Sequence, residues 1–105
     1  MRLTLRYSEA ALDDWAEAVG FYRGVRLELA RALDAEVKRI ANIVRRNPMI
    51  GASYLHSTRR KLLARFPYSF VYSVEADDLV LVIAIAHHSR EPGYWADRLN
   101  EGGLN

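Results

Sequence analysis

The sequence predicts a two-layer α+β domain of order β-α-α-β-β-β, in which an antiparallel sheet packs on a helical hairpin. The chain has 105 residues and is 50% hydrophobic, which suits a single domain with a packed core spanning residues 1–105. Apolar residues recur at helical spacing in the first half of the chain. Alternating and β-branched segments follow in the second half, so the helices precede most of the strands.

The first strand and the first helix are predicted from short patterns near the N-terminus. Leucines alternate with polar residues over Arg2–Arg6, which indicates a strand with one buried face. Ser8 is a favourable N-cap, and apolar residues recur at helical spacing over Glu9–Tyr22. We expect Gly24 to end this helix.

One apolar stripe predicts the second helix. The spacing of its members is four, four, three and four residues, and Asn47-Pro48 ends the pattern. A short turn between two helices predicts a hairpin. The stripe consists of Leu29, Leu33, Val37, Ile40 and Val44.

Three strands are predicted after a loop over Met49–Thr58. The last one is apolar on both faces, as is typical of a central strand, and Asp77-Asp78 is expected to close its hairpin. A final helical turn is expected over Tyr94–Leu99. The strands are Arg59–Arg65, Ser69–Val74 and Leu79–His87.

Charge is distributed unevenly along the chain, although the net charge is only +2. Residues 37–74 contain no acid and eight basic residues, so this block is expected to form a cationic surface that attracts nucleic acid or an acidic partner. The alternative is a set of solvated helix and strand faces. The basic residues are Lys38, Arg39, Arg45, Arg46, Arg59, Arg60, Lys61 and Arg65.

Composition also excludes several kinds of site. The chain has no cysteine, which rules out disulfides, thiolate metal sites and a cysteine nucleophile. The longest apolar run, Leu79–Ala86, is far shorter than the ~20 residues that span a bilayer. We therefore expect a cytoplasmic protein without membrane contact.

Ionisable side chains follow the predicted central strand. His87 and His88 are adjacent, so in a regular strand they point to opposite faces and are poor joint metal ligands. We expect no metal and no cofactor. A metal-free alternative is RNA cleavage, with a histidine as acid or base and arginines on the phosphate. The competing interpretation is structural, with these side chains in hydrogen bonds and in an apolar plug over the sheet.

Several linked motifs carry a resemblance to a known family. Arg65 precedes the corner Phe66-Pro67-Tyr68, a tyrosine lies in the next strand, and an apolar strand follows. The chain then has His87-x-x-Arg90-x-Pro92 and the aromatic pair Tyr94-Trp95. Together these features resemble the RelE/ParE superfamily of bacterial toxins from type II toxin–antitoxin systems, over nearly the whole chain.

The resemblance implies a growth-inhibiting toxin that a cognate antitoxin holds inactive. Such an antitoxin would be acidic with a DNA-binding half, and it would cover the helical hairpin and the basic part of the sheet. The target differs between branches of the family. RelE-like members cleave messenger RNA on the ribosome, whereas ParE-like members inhibit DNA gyrase without a nuclease site. A degenerate member that only binds its antitoxin is a third alternative.

We expect ribosome-dependent RNA cleavage slightly ahead of gyrase inhibition. The chain lacks the lysine-rich block of RelE and has no acid between Val37 and Val74, so a histidine would have to act as the base. The His-x-x-Arg-x-Pro ending occurs in both branches. The expected catalytic residues are Arg65, His87, His88, Arg90 and Tyr94, and the expected RNA-binding residues are Arg45, Arg46, Arg59, Arg60 and Lys61.

Overall fold

The structure is a computed structural model that describes residues 3–76 and 78–99. It contains five strands, two α-helices and a 3₁₀ turn at Leu55–Ser57. Along the chain, the elements are β1 (Thr4–Tyr7), α1 (Glu9–Val25), α2 (Leu27–Arg46), β2 (Ala52–Ser53), β3 (Arg59–Leu62), β4 (Tyr68–Glu75) and β5 (Leu79–His87). The predicted α+β class and two-layer architecture are confirmed.

The helical hairpin forms largely as predicted. The Ser8 hydroxyl accepts a hydrogen bond from the Ala11 amide at 3.0 Å and so caps α1. The predicted stop at Gly24 is wrong by one residue, because α1 continues to Val25 and the extended backbone of Arg26 separates it from α2. A Cβ atom added at Gly24 would have no neighbour within 4 Å, so a side chain at this position would make no packing contact through its Cβ atom. The predicted stripe of α2 is buried over Leu33–Val44.

The sheet is mixed, which corrects the expectation of an antiparallel sheet. Its strand order is β1-β5-β4-β3-β2. β1 pairs with β5 in parallel, whereas the other neighbours are antiparallel. The helical hairpin supplies the crossover that a parallel pair needs. The predicted loop over Met49–Thr58 contains the short edge strand β2, whose two residues are too few to produce a visible alternation.

Strands β4 and β5 are covered on both faces. One face packs against the helices through Phe70, Tyr72 and Val82. The opposite face packs against Trp95, which is 1% exposed, through Val71 and Ile83. This two-sided burial explains why β5 has the predicted bounds and is apolar throughout.

The ends of the predicted strands differ from expectation by a few residues. β3 ends at Leu62 instead of Arg65, because Arg65 has a left-handed backbone with φ of 72°. Helical turns follow Tyr94 as predicted. Arg2 and Asp77 lie outside the described residues. Over residues 3–76 and 78–99, the helices fall short of the length and apolarity that a membrane span requires.

Candidate functional site

A cavity of about 120 Å³ lies on the sheet face opposite the helices, beside the end of β5. β3 contributes Arg60, β4 contributes Ser69, and the chain after β5 contributes the rest of the polar wall. The lining residues are Tyr54, Arg60, Ser69, Val71, Ala86, His87, His88, Arg90, Glu91, Pro92, Tyr94 and Trp95. Five of the ten sequence-predicted site residues border this cavity, although the His87 ring packs on the other face of the sheet. They are Arg60, His87, His88, Arg90 and Tyr94.

His88 is held at the floor of this cavity. Its Nε2 atom lies 3.0 Å from the Ser69 hydroxyl, and its backbone N–H donates to the Pro67 carbonyl at 2.8 Å. Partial burial lowers the pKa of His88, and the nearby positive charge of Arg60 lowers it further. The imidazole is therefore biased toward its neutral form, which can accept a proton.

Two arginine–tyrosine stacks flank the cavity. The Arg60 guanidinium lies 4.2 Å from the centre of the Tyr54 ring, and the Arg90 guanidinium lies 3.9 Å from that of Tyr94. Burial raises the pKa of Tyr94, so its phenol stays protonated at neutral pH. Tyr54 was not predictable as a site residue from the sequence, because only the folded chain brings it to Arg60.

The two histidines diverge, as the strand geometry predicted. The His87 ring packs against Tyr68 on the helix side of the sheet, at 4.9 Å and nearly perpendicular. Its Nδ1 atom lies 2.7 Å from the Ser89 hydroxyl. The imidazoles of His87 and His88 thus make their contacts on opposite faces.

Two of the predicted RNA-binding residues on β3 point away from the cavity. Arg59 donates hydrogen bonds to the carbonyls of Gly51, at 2.7 Å, and Met49, at 3.2 Å. Lys61 is paired with Phe70, whose ring packs in the core against the helices. Both side chains therefore lie on the helix side of the sheet.

The three remaining predicted residues also lie outside the cavity lining. Arg65 occupies the turn between β3 and β4, with its guanidinium 5.7 Å from the Phe66 ring. Arg45 and Arg46 belong to the last turn of α2. Arg45 donates a hydrogen bond to the side-chain oxygen of Asn42, and Arg46 donates one to its backbone carbonyl. The expected single cationic surface is therefore formed only in part.

A part-buried ion pair fixes the C-terminal turn beside the cavity. The Arg98 guanidinium donates to both carboxylate oxygens of Asp14, at 2.7 and 3.2 Å. Asp14 also accepts the Ile85 amide of β5 at 3.1 Å. This contact was not predictable from the sequence, because no local pattern connects positions so far apart in the chain.

The helical hairpin carries an open apolar groove of about 400 Å³. Leu12 is 47% exposed there. Ala16 and Gly20 also line the groove, and their small size leaves it open. The Trp15 Nε1 atom is buried without an acceptor among the described residues. The groove is lined by Leu12, Trp15, Ala16, Val19, Gly20, Arg23 and Asp34.

Comparisons with known proteins agree with this architecture. A chain of the chromosomal ParDE toxin–antitoxin system from P. aeruginosa superposes with a TM-score of 0.71 and 17% identity, over 82% of this chain and 96% of that one. A mutant of the E. coli toxin RelE in the free state superposes with a TM-score of 0.57 and 21% identity, over 99% and 97% of the two chains. At these identities both show the shared fold. No curated protein matches by sequence.

The family is shown by sequence. The family model described as the ParE toxin of type II toxin–antitoxin systems, parDE, matches residues 5–92. This match extends over most of the chain, including β1 from its second residue, both helices and the cavity residues Arg60, His88 and Arg90. The chain therefore belongs to the ParE toxin family within the RelE/ParE superfamily and is the toxin of a type II toxin–antitoxin system, whose partner is an antitoxin.

Proposed function

We propose that the chain inhibits growth by binding DNA gyrase, as the resemblance to the ParE branch implies. The observation that carries this proposal is the dispersal of the predicted phosphate-binding residues. Of Arg45, Arg46, Arg59, Arg60 and Lys61, only Arg60 lines the cavity that contains His88. RNA cleavage without a metal depends on several cations converging on one phosphate. The family match over residues 5–92 supports the same branch.

Ribosome-dependent RNA cleavage is the second candidate, and one observation favours it. Arg60, His88, Arg90 and Tyr94 surround the same cavity. A neutral His88 would take the proton from a 2′-hydroxyl, while the two guanidinium groups bind the phosphate. The Tyr94 phenol would donate a proton or stack on a base.

We propose that the antitoxin covers the apolar groove on α1. The exposed Leu12 side chain there would gain an apolar contact in a complex. A neighbouring reading frame that encodes a short acidic protein with a DNA-binding half would fit this partner. The experiment is co-expression with that neighbour, which should restore growth.

The two target candidates are separated by the double variant Arg60→Ala/His88→Ala. Under gyrase inhibition, induced cells accumulate DNA breaks, and the purified variant still inhibits gyrase supercoiling as strongly as the parent chain. Under RNA cleavage, the same variant loses at least roughly a hundredfold in cleavage rate, because a phosphate-binding cation and the base are gone. Primer extension on messages after induction measures that loss.

The matched control is Arg46→Ala, which removes one positive charge at the exposed end of α2. It should leave both readouts unchanged. Codon-phased message cleavage that disappears in the double variant would contradict gyrase inhibition and establish the second candidate. Normal growth after confirmed expression of the parent chain alone would instead favour a degenerate, antitoxin-binding member.

A further inference from the structure

A second cavity, of about 290 Å³, lies on the helix side of the sheet, between α1 and the segment after β5. Three aromatic rings contribute to its walls: Phe21 from α1, Tyr68 from β4, and Tyr94. Phe21 is 63% exposed, so its ring is accessible at the mouth of this cavity. The cavity therefore presents an aromatic surface that is open to a partner.

Negative charge surrounds the α1 side of this cavity. Over residues 9–22, α1 carries four acids and no basic residue. Two of these acids, Asp14 and Glu17, line the cavity. Within residues 3–76 and 78–99, Glu17 has no ion-pair partner.

The negative charges of these carboxylates contribute to raised pKa values of two tyrosines that line the cavity. Burial is the largest cause of the raised pKa of Tyr68, and the negative charges of Glu17 and Asp14 add to it. Burial likewise raises the pKa of Tyr94 and the charge of Asp14 adds to that effect, whereas the positive charges of Arg98 and Arg90 lower this pKa. The α1 side of the cavity, where Glu17 lies, would therefore attract a cation, whereas Arg90 lies on the other wall.

The chain itself contains an example of the complementary contact. The Arg98 guanidinium pairs with both oxygens of Asp14 and lies 5.4 Å from the centre of the Tyr94 ring. A guanidinium is planar, stacks on aromatic rings and binds a carboxylate through two N–H groups. Glu17 and the exposed Phe21 ring provide the same two partners to an incoming side chain.

We propose that this cavity receives an arginine side chain of a partner protein. Its guanidinium pairs with Glu17 and stacks on Phe21, while its alkyl chain follows the apolar wall toward Tyr68. Arg90 lies on the opposite wall, stacked on Tyr94. The inference does not depend on whether the toxin targets gyrase or RNA.

The test is an NMR titration of the full chain with N-acetyl-L-arginine amide. We expect saturable shifts of the aromatic signals of Phe21, Tyr68 and Tyr94, with a dissociation constant on the order of millimolar, as suits a single small anchor. N-acetyl-citrulline amide has nearly the same shape without the charge. The citrulline amide should bind at least roughly tenfold more weakly than the arginine amide. N-acetyl-lysine amide should also bind that much more weakly, because its ammonium group lacks the planar surface with which a guanidinium stacks on an aromatic ring.

Two variants locate the site. Glu17→Gln should weaken arginine amide binding about tenfold with an unchanged fold, as checked by circular dichroism. Asp13→Asn is the matched control, since it removes one exposed charge from the same helix outside the cavity, and it should change binding less than about twofold. Equal binding of citrulline or lysine amide, equal effects of the two variants, or shifts confined to other residues would each overturn the proposal.

Discussion

Tyr72 secures the loop after α2 through a single buried hydroxyl group. That hydroxyl accepts the Gly51 amide N–H at 2.9 Å and donates to the Pro48 carbonyl at 2.7 Å. A Cβ atom added at Gly51 would lie 2.6 Å from the same oxygen, so glycine is needed for this close approach. Tyr72 thus satisfies two backbone groups of this loop, and Arg59 binds the carbonyls of Met49 and Gly51.

Replacing Tyr72 with Phe should lower the free energy of unfolding by about 1–3 kcal/mol, because a buried N–H and a carbonyl lose their partner. Urea denaturation measures the change. Tyr54→Phe is the matched control, since the Tyr54 ring stacks on Arg60 and its hydroxyl takes no part in that contact. A Tyr72→Phe variant as stable as the parent would show that water replaces the hydroxyl.

Glu36 connects α2 to the turn after β3. Its carboxylate accepts the Ala64 amide at 2.8 Å and two N–H groups of Arg39, each at 2.8 Å. The hydrogen bonds from Arg39 are the largest cause of its lowered pKa, and the Ala64 amide lowers that pKa further. The folded state therefore favours the ionised carboxylate.

Glu36→Gln should destabilise the chain at neutral pH and have little effect in acid. A carboxyl whose pKa is lowered on folding stabilises the protein above its unfolded pKa, and this stabilisation is lost as the pH falls through the folded pKa. Urea denaturation from about pH 7 to about pH 2 should show the two stability curves converging. Parallel curves would contradict the assignment.

At the scale of elements, the C-terminal turn depends on the pairing of Arg98 with Asp14. The side chains of these residues are only 21% and 16% exposed. Trp95 of the same turn belongs to the hydrophobic cluster on the sheet face opposite the helices. The turn also contributes Tyr94 to both cavities. Its docking therefore positions two candidate binding surfaces.

Asp14→Asn should lower the free energy of unfolding by about 1–3 kcal/mol, because it leaves a part-buried guanidinium without its charge partner. Thermal denaturation and hydrogen exchange at the Ile85 amide measure the loss. Asp34→Asn is the control, since its pairing with Lys38 joins a 38% exposed carboxylate to a 64% exposed ammonium. That exposed pair should contribute about 0–1 kcal/mol. Equal losses in both variants would contradict a special role for Asp14.

Elements with long, periodic patterns were predictable from the sequence. The buried stripe of α2 and the two-sided apolar run of β5 both appear where expected. The parallel pairing of β1 was not predictable, because alternation along one strand carries no information about which strand lies beside it. The site shows the same division: strand geometry predicted the divergence of His87 and His88, but no local pattern linked Tyr54 to Arg60.

At the scale of the molecule, β4 and β5 are shared by two hydrophobic clusters. Trp15 packs against the cluster on the helix side, and Trp95 belongs to the cluster on the opposite face. Each tryptophan therefore reports on one side of the sheet. Because the same two strands form both clusters, neither side is expected to unfold alone.

Single-tryptophan variants, Trp15→Phe and Trp95→Phe, should each unfold with fluorescence and far-ultraviolet circular dichroism midpoints that coincide within the variant. Coincident probes are the signature of a two-state transition. Each variant is its own control, since its two midpoints are compared at the same stability. A fluorescence midpoint below the dichroism midpoint in the variant that retains Trp95 would show that the C-terminal turn detaches first.

The pairing of the first strand with the last has a consequence for synthesis on the ribosome. β1 is translated before the two helices, whereas its hydrogen-bonding neighbour β5 follows β4 in the chain. β1 therefore cannot take its place in the sheet until β5 has emerged from the ribosome. Because Arg90 and Tyr94 follow β5, both cavities that they line are completed only after β5 has been translated, so neither exists on a nascent chain that ends before that strand.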